Sequence, residues 1–139
     1  MKRILLIVVL ISLFIFNGCY SINYSVSDDS HIFYGSSEIM IDSYDEYNKV
    51  LECNDEDKYN EEFFYNNNLV VLKCERSSST KLIVKSVKVS EEKLVIDIKE
   101  KLINWFDSVA TSDAIECIIL IEVSKDDVKN VKEIIANVK

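Results

Sequence analysis

At 139 residues the chain has room for one ordinary domain rather than two, and 24 acidic against 16 basic side chains, a net charge of -8, argue against nucleic acid as a partner. One histidine, His31, leaves little prospect of a Cys-His or Ser-His catalytic pair, and Gly18 and Gly35 are too few for a glycine-rich phosphate loop. Nothing in these counts calls for a cofactor.

In chain order, Lys2 and Arg3 precede an apolar run from Ile4 to Phe16 that ends in Asn17-Gly18-Cys19. As a helix the run would span roughly 20 Å against about 30 Å of hydrocarbon, so it predicts a secretory h-region instead of a membrane span. Phe16-Asn17-Gly18-Cys19 resembles a bacterial lipobox, with a small residue before the cysteine, although Phe and Asn stand where Leu and Ala or Ser are commoner. The expectation is a lipoprotein signal peptide over residues 1–18, lipid on Cys19, and attachment to the cell membrane at its extracytoplasmic face, where two or more acyl chains give stable anchoring. Loss of Lys2 and Arg3 takes the net charge from -8 to -10, so lipid must do the anchoring.

Residues 19–36 are rich in Ser and show no sustained period, which predicts a lipidated tether leading to a single α+β domain over 37–139. Glu38 to Ile41 suits a short strand. Ser43 and Glu46 have capping-box spacing for a helix from Tyr44 to about Glu52, with Tyr47, Val50 and Leu51 on one apolar face. Lys58 to Asn66 predicts a second helix, in which one of Phe63 and Phe64 anchors on the sheet and the other packs at its rim. Asn66-Asn67-Asn68 ends it. The acidic residues nearby, among them Asp55, Glu56, Asp57, Glu61 and Glu62, lack the spacing and turn glycine of a calcium loop and read as a solvated face.

Leu69 to Glu75, Lys81 to Val89, Leu94 to Lys101 and Ala114 to Val123 are the main predicted strands. The second and third form a hairpin with one wet face, and the last, apolar on both faces, should lie centrally. Ile115, Ile119 and Ile121 with Leu94, Ile96 and Ile98 are the expected centre of the core. Ser124 and Asp127 repeat the capping spacing for a short helix to about Asn130, and Glu133 to Val138 can close the sheet. The fold class that results is α+β, a mainly antiparallel sheet or small partly open barrel with two helices before the main strands.

With Cys19 used for lipid, Cys53, Cys74 and Cys117 allow at most one internal bridge, or pack as three small apolar thiols. They have no C-x-x-C pair and lie too far apart in sequence to suggest structural zinc, so no metal site is expected. Trp105 and Phe106 fall on the connection between Ile103 and Asp113. Bulky aromatics on a loop held by a rigid sheet make them candidate partner-binding residues, the alternative being that they plug the open end of the barrel.

From Tyr59 to Val128 the succession Glu62-Phe63-Phe64, Leu69-Val70-Val71, the serine turn, and Thr111-Ser112-Asp113 before the last long strand resembles small uncharacterised clostridial lipoproteins, a likeness that brings no known activity. More distantly it is similar to the C-terminal domain of PrcB-type protease-complex lipoproteins, which implies a domain that stabilises a secreted protease. Ser78-Ser79-Thr80 replaces the Gly-Gly-Tyr turn of that group, and its prolines are absent.

Together these readings lead to a lipid-anchored extracytoplasmic binding or accessory module without catalysis, whose partner is a protein at the cell surface. A structural envelope lipoprotein is the alternative. A hydrolase would need an acidic site, for which Asp97, Glu116 and Glu122 are the carboxylates to examine.

Overall fold

The computed structural model describes residues 18–27, 32–33, 37–52, 58–103 and 114–139. The apolar leader run, His31, Cys53, Trp105, Phe106 and the Thr111-Ser112-Asp113 motif lie outside them. In order come β1 (Tyr20–Ser21), β2 (Tyr24–Ser27), β3 (Ile32–Phe33), β4 (Glu38–Ile41), α1 (Tyr44–Val50), β5 (Leu51–Glu52), α2 (Phe63–Asn66) and β6 (Asn67–Ser77). β7 (Thr80–Ser90), β8 (Lys93–Leu102), β9 (Ala114–Ser124), α3 (Lys125–Val128) and β10 (Glu133–Val138) follow.

Strand dominates, and the helices are short. One four-stranded sheet has the order β1-β7-β8-β10 and the other β2-β9-β6-β4, with β3 and β5 forming a small separate ladder. The sheets pack face to face and do not close into a barrel. Between them lies one core, built from Val70 and Leu72 of β6, Val87 and Val89 of β7, Leu94, Ile96 and Ile98 of β8, and Ile119, Ile121 and Val123 of β9. On the far face of the second sheet, Leu69, Val71 and Leu120 meet Tyr47, Leu51, Tyr59 and Phe64 in a second core. Both faces of β6 and β9 are therefore dry at mid-strand, which explains the unbroken apolar run from Leu69 to Leu72. β9 lies between β2 and β6, as its apolar character demands.

β7 carries a bulge. Val84 pairs with Ile98 but Ser86 pairs with Asp97, so Lys85 is the extra residue. That one-residue slip lets Leu82 and Val84 before it, and Val87 and Val89 after it, all meet the same core.

Several expectations are corrected. Residues 20–27 are not a free tether: β1 pairs with β7 and β2 with β9, Ile22 is buried, and its N–H donates to Val87 O at 3.1 Å. Tyr20, Ile22, Tyr24 and Val26 alternate with Ser21, Asn23, Ser25 and Ser27, a strand period that the serine-rich composition of the segment masks. Ile115 is 40% exposed, because it lies on β9 beyond the part that both layers cover. β10 pairs in parallel with β8, since α3 carries the chain from one sheet to the other and delivers the last strand in the direction of β8.

The first helix starts where its cap predicts, with Glu46 N–H donating to Ser43 Oγ at 3.4 Å, but it stops at Val50 and Leu51–Glu52 pairs with β3 instead. The second is only Phe63–Asn66. Asn60 Oδ1 accepts from Phe63 N–H at 3.0 Å and begins the turn late, while Tyr59 is drawn into the core. Phe64 is buried and Phe63 half-buried, as core anchor and rim. Ser124 makes no side-chain cap on α3, which ends at Val128.

Candidate functional site

The edge strands β4 and β10 face each other across the open side of the sandwich without pairing. Two adjoining depressions of about 420 and 440 Å³ follow that side and share Met40 and Val131. Their walls are apolar at Met40, Val131 and Ile134, with Glu38, Lys132 and Lys129 at the rims.

Backbone polarity at these edges follows from the ladders. Lys73 N–H donates to Ser37 O at 2.8 Å, and β4 continues that register from Glu38 opposite Leu72 to Ile41 opposite Leu69. Because an antiparallel pair alternates, the backbone groups of Ile39 and Ile41 turn towards β6 and those of Met40 turn away from the sheet. On β10, Lys139 N–H donates to Ile98 O at 3.0 Å and Lys139 O accepts from Glu100 N–H at 2.9 Å. Alternation then sends the backbone groups of Ile134 and Ala136 outward too. Each edge thus presents amide groups to one side, the geometry that an added strand requires.

Asn68 lies on the floor of the second depression, one residue beyond the Ile41–Leu69 pair, where β4 has ended and no longer covers β6. It is only 8% exposed. Its Nδ2 donates to Met40 Sδ at 3.3 Å, a weak acceptor, and its buried Oδ1 has no hydrogen-bond donor among the described residues. A buried carboxamide oxygen in that state costs about 1–3 kcal/mol until a donor reaches it. Beside it Lys125 Nζ donates to Asp42 O at 2.9 Å across the mouth of the depression. In the sequence Asn68 reads only as the last of the three Asn residues that end a helix; its burial depends on β4 ending where it does.

The carboxylates do not converge. Asp97 stands on the outer face of the first sheet, where it accepts from Ser86 Oγ at 2.8 Å and Asn137 Nδ2 at 3.2 Å, and these bonds, Ser86 first, hold its carboxyl below the usual range. Glu122 is on the helix-covered face of the second sheet, where Tyr59 Oη donates to it at 3.0 Å and Lys58 Nζ lies 3.0 Å away. Burial pushes the Tyr59 phenol above its ordinary value. Glu116 pairs with Lys73 at 3.0 Å towards the other end of β9. These three groups share no cleft, and the Tyr59–Glu122 contact reads as a pin between helix layer and sheet.

At the end of the sandwich from which residues 104–113 depart, the turn between β6 and β7 is tied down by its own side chains. Arg76 Nη1 donates to Ser77 O at 3.1 Å and to Thr80 O, Ser77 and Ser79 hydroxyls are 3.0 Å apart, and Glu100 accepts from Thr80 Oγ1 and, at 3.3 Å, from Ser77 N–H. The Thr80 bond, then the Ser77 bond, lowers the Glu100 carboxyl. Ile103 N–H donates to Ser79 O at 2.9 Å, and Ala114 pairs with Ser77, so both roots of the 104–113 connection meet at this turn. Leu102, Ile103 and Ile115 there are 55, 51 and 40% exposed. Trp105 and Phe106 themselves lie outside the described residues. Cys19 is exposed and immediately precedes β1.

No family model, curated protein or solved structure matches the chain.

Proposed function

We propose that the protein is a lipid-anchored extracytoplasmic binding module, attached through Cys19, which captures an extended segment of a cell-surface protein along the β4–β10 edge and performs no catalysis on it. The observation that carries this reading is the buried Asn68 Oδ1, which needs an N–H donor, set beside the outward-turned amide groups of Met40. An extended peptide supplies both an added strand and such a donor. A small molecule would have to supply the same hydrogen bonds without the strand. The likeness to PrcB-type lipoproteins makes a secreted protease the client to try first.

Anchoring at Cys19 would place the domain directly on the bilayer, because β1 starts at the next residue. β7 then runs from Thr80 at the far end to Ser90 at the near end, about 33 Å at the usual strand rise. The roots of the 104–113 connection would face away from the membrane. Exposed Leu102, Ile103 and Ile115 at those roots favour a second contact in which Trp105 and Phe106 anchor the partner. Trp105→Ala should then weaken binding and leave stability unchanged, whereas a plug would lose both.

The test displays random peptides to the lipidated protein in nanodiscs and titrates those selected. Met40→Pro removes one outward N–H at an edge position that tolerates proline, and Asn68→Leu removes the acceptor; each should weaken binding by about 1–2 kcal/mol. Peptides that bind both variants as tightly as the parent would place the site elsewhere. Separately, Cys19→Ser should leave the protein unprocessed or released, and normal membrane-bound maturation would overturn lipid attachment.

A further inference from the structure

Cys74 of β6 lies directly opposite Cys117 of β9, and neither is in a disulfide. Both strands run straight through this point, since the register is unbroken from Asn67–Ser124 to Ser77–Ala114. Both side chains are half-buried, on the side of the sheets that faces the main core, near the end where Ile115 reaches solvent.

Backbone alternation settles what kind of pair this is. Lys73 spends its N–H on Ser37 of the neighbouring edge, so the backbone groups of Cys74 turn the other way, towards β9. Cys74 and Cys117 therefore form a hydrogen-bonded pair, whose Cα atoms stand about 5.5 Å apart in a regular antiparallel ladder. That falls within the Cα range of a disulfide, about 4.4–6.8 Å. The Cβ atoms of such a pair sit near the wide end of the cross-strand range, about 5.5 Å, where a disulfide prefers about 3.8 Å. The bond can close only by drawing the two strands together, and strain of that kind makes a disulfide easy to reduce.

We propose that Cys74 and Cys117 are a redox-labile cross-strand disulfide site, oxidised by exchange with a small-molecule disulfide. In the first step the Cys117 thiolate attacks one sulfur of that disulfide, breaking its S–S bond and releasing one small thiolate. Cys74 then attacks Cys117 Sγ, forming the protein S–S bond and expelling the second small thiolate. The protons of Cys74 and Cys117 end on the two small thiols; two protein sulfurs are oxidised and one small disulfide is reduced. Cys74 suits the resolving role, because burial first, and then the neighbouring Cys117 and Glu38, push its thiol up to about 11 and make it the weaker initial nucleophile.

The experiment treats the full chain with oxidised glutathione, blocks remaining thiols with iodoacetamide and maps tryptic peptides without reduction. The expected product joins Cys74-Glu75-Arg76 to the peptide from Leu102 to Lys125, carries no glutathione and disappears in reduced glutathione. Iodoacetamide labelling of Cys117 is lost at the same time. In Cys74→Ser the first step should proceed and stop, leaving glutathione on Cys117. A stable glutathione adduct on Cys117 of the parent, full alkylation of both residues, or linkage of either to Cys53 would overturn the proposal. So would a Cys74–Cys117 bond that reduced glutathione leaves intact.

Discussion

If Asn68 is retained for binding, replacing it with leucine should make the protein more stable and less functional at once. Leucine has the same branching and number of side-chain heavy atoms as asparagine but is bulkier, and the depression beside Asn68 leaves room for it among Val123, Val70 and Met40 on the core side of β6. Removing the orphaned oxygen relieves about 1–3 kcal/mol, against the loss of a single weak bond to Met40 Sδ, so a net gain of about 1–2 kcal/mol is expected. For a domain of this size that raises Tm by about 4–8 °C. Urea unfolding followed by circular dichroism measures it, with an unchanged m value showing that the native and unfolded states remain comparable. Asn68→Asp should move the other way and by more, because a carboxylate would be buried with no cation bonded to it. A leucine variant less stable than the parent would show that the carboxamide is satisfied in the folded protein and would remove the main support for the edge as a binding site.

Ile119→Ala, in the core between the sheets, should cost about 2–5 kcal/mol, whereas Ile115→Ala on the same strand should cost less than about 1 kcal/mol, and chemical denaturation separates the two. Asp97 has a depressed folded pKa, so its contribution to stability is present above the unfolded value of about 3.9 and is lost as pH falls through the folded value. Asp97→Asn should therefore flatten the fall in stability below about pH 4, and an unchanged acid limb would show that the Ser86 and Asn137 bonds do not persist in solution. Glu91, at φ 56° in the two-residue β7–β8 turn, occupies a conformation that favours glycine, and Glu91→Gly should raise stability by about 0.5–1 kcal/mol in the same assay.

The positions of β6 to β9 were legible because each has an apolar pattern long enough to repeat. Alternation in Leu94, Ile96 and Ile98 told which face of β8 is wet, and the continuous run of Leu69 to Leu72 required cover on both sides; those constraints act on side chains within a single strand. The cap at Ser43 was legible for the same reason, since both partners lie within one helical turn. Which sheet each strand joins was decided elsewhere. β1 and β2 are held by edges that only the folded β7 and β9 provide, and β10 runs parallel because α3 carries the chain across to the other sheet. Ile115 and Ile119 have the same side chain on the same strand face, yet one is exposed and the other buried, according to how far the opposing layer extends. Asn68 and the Cys74–Cys117 pair are products of register, a long-range property: a local pattern can show that a residue is in a strand, but only the docked neighbour determines what stands opposite it or leaves it uncovered.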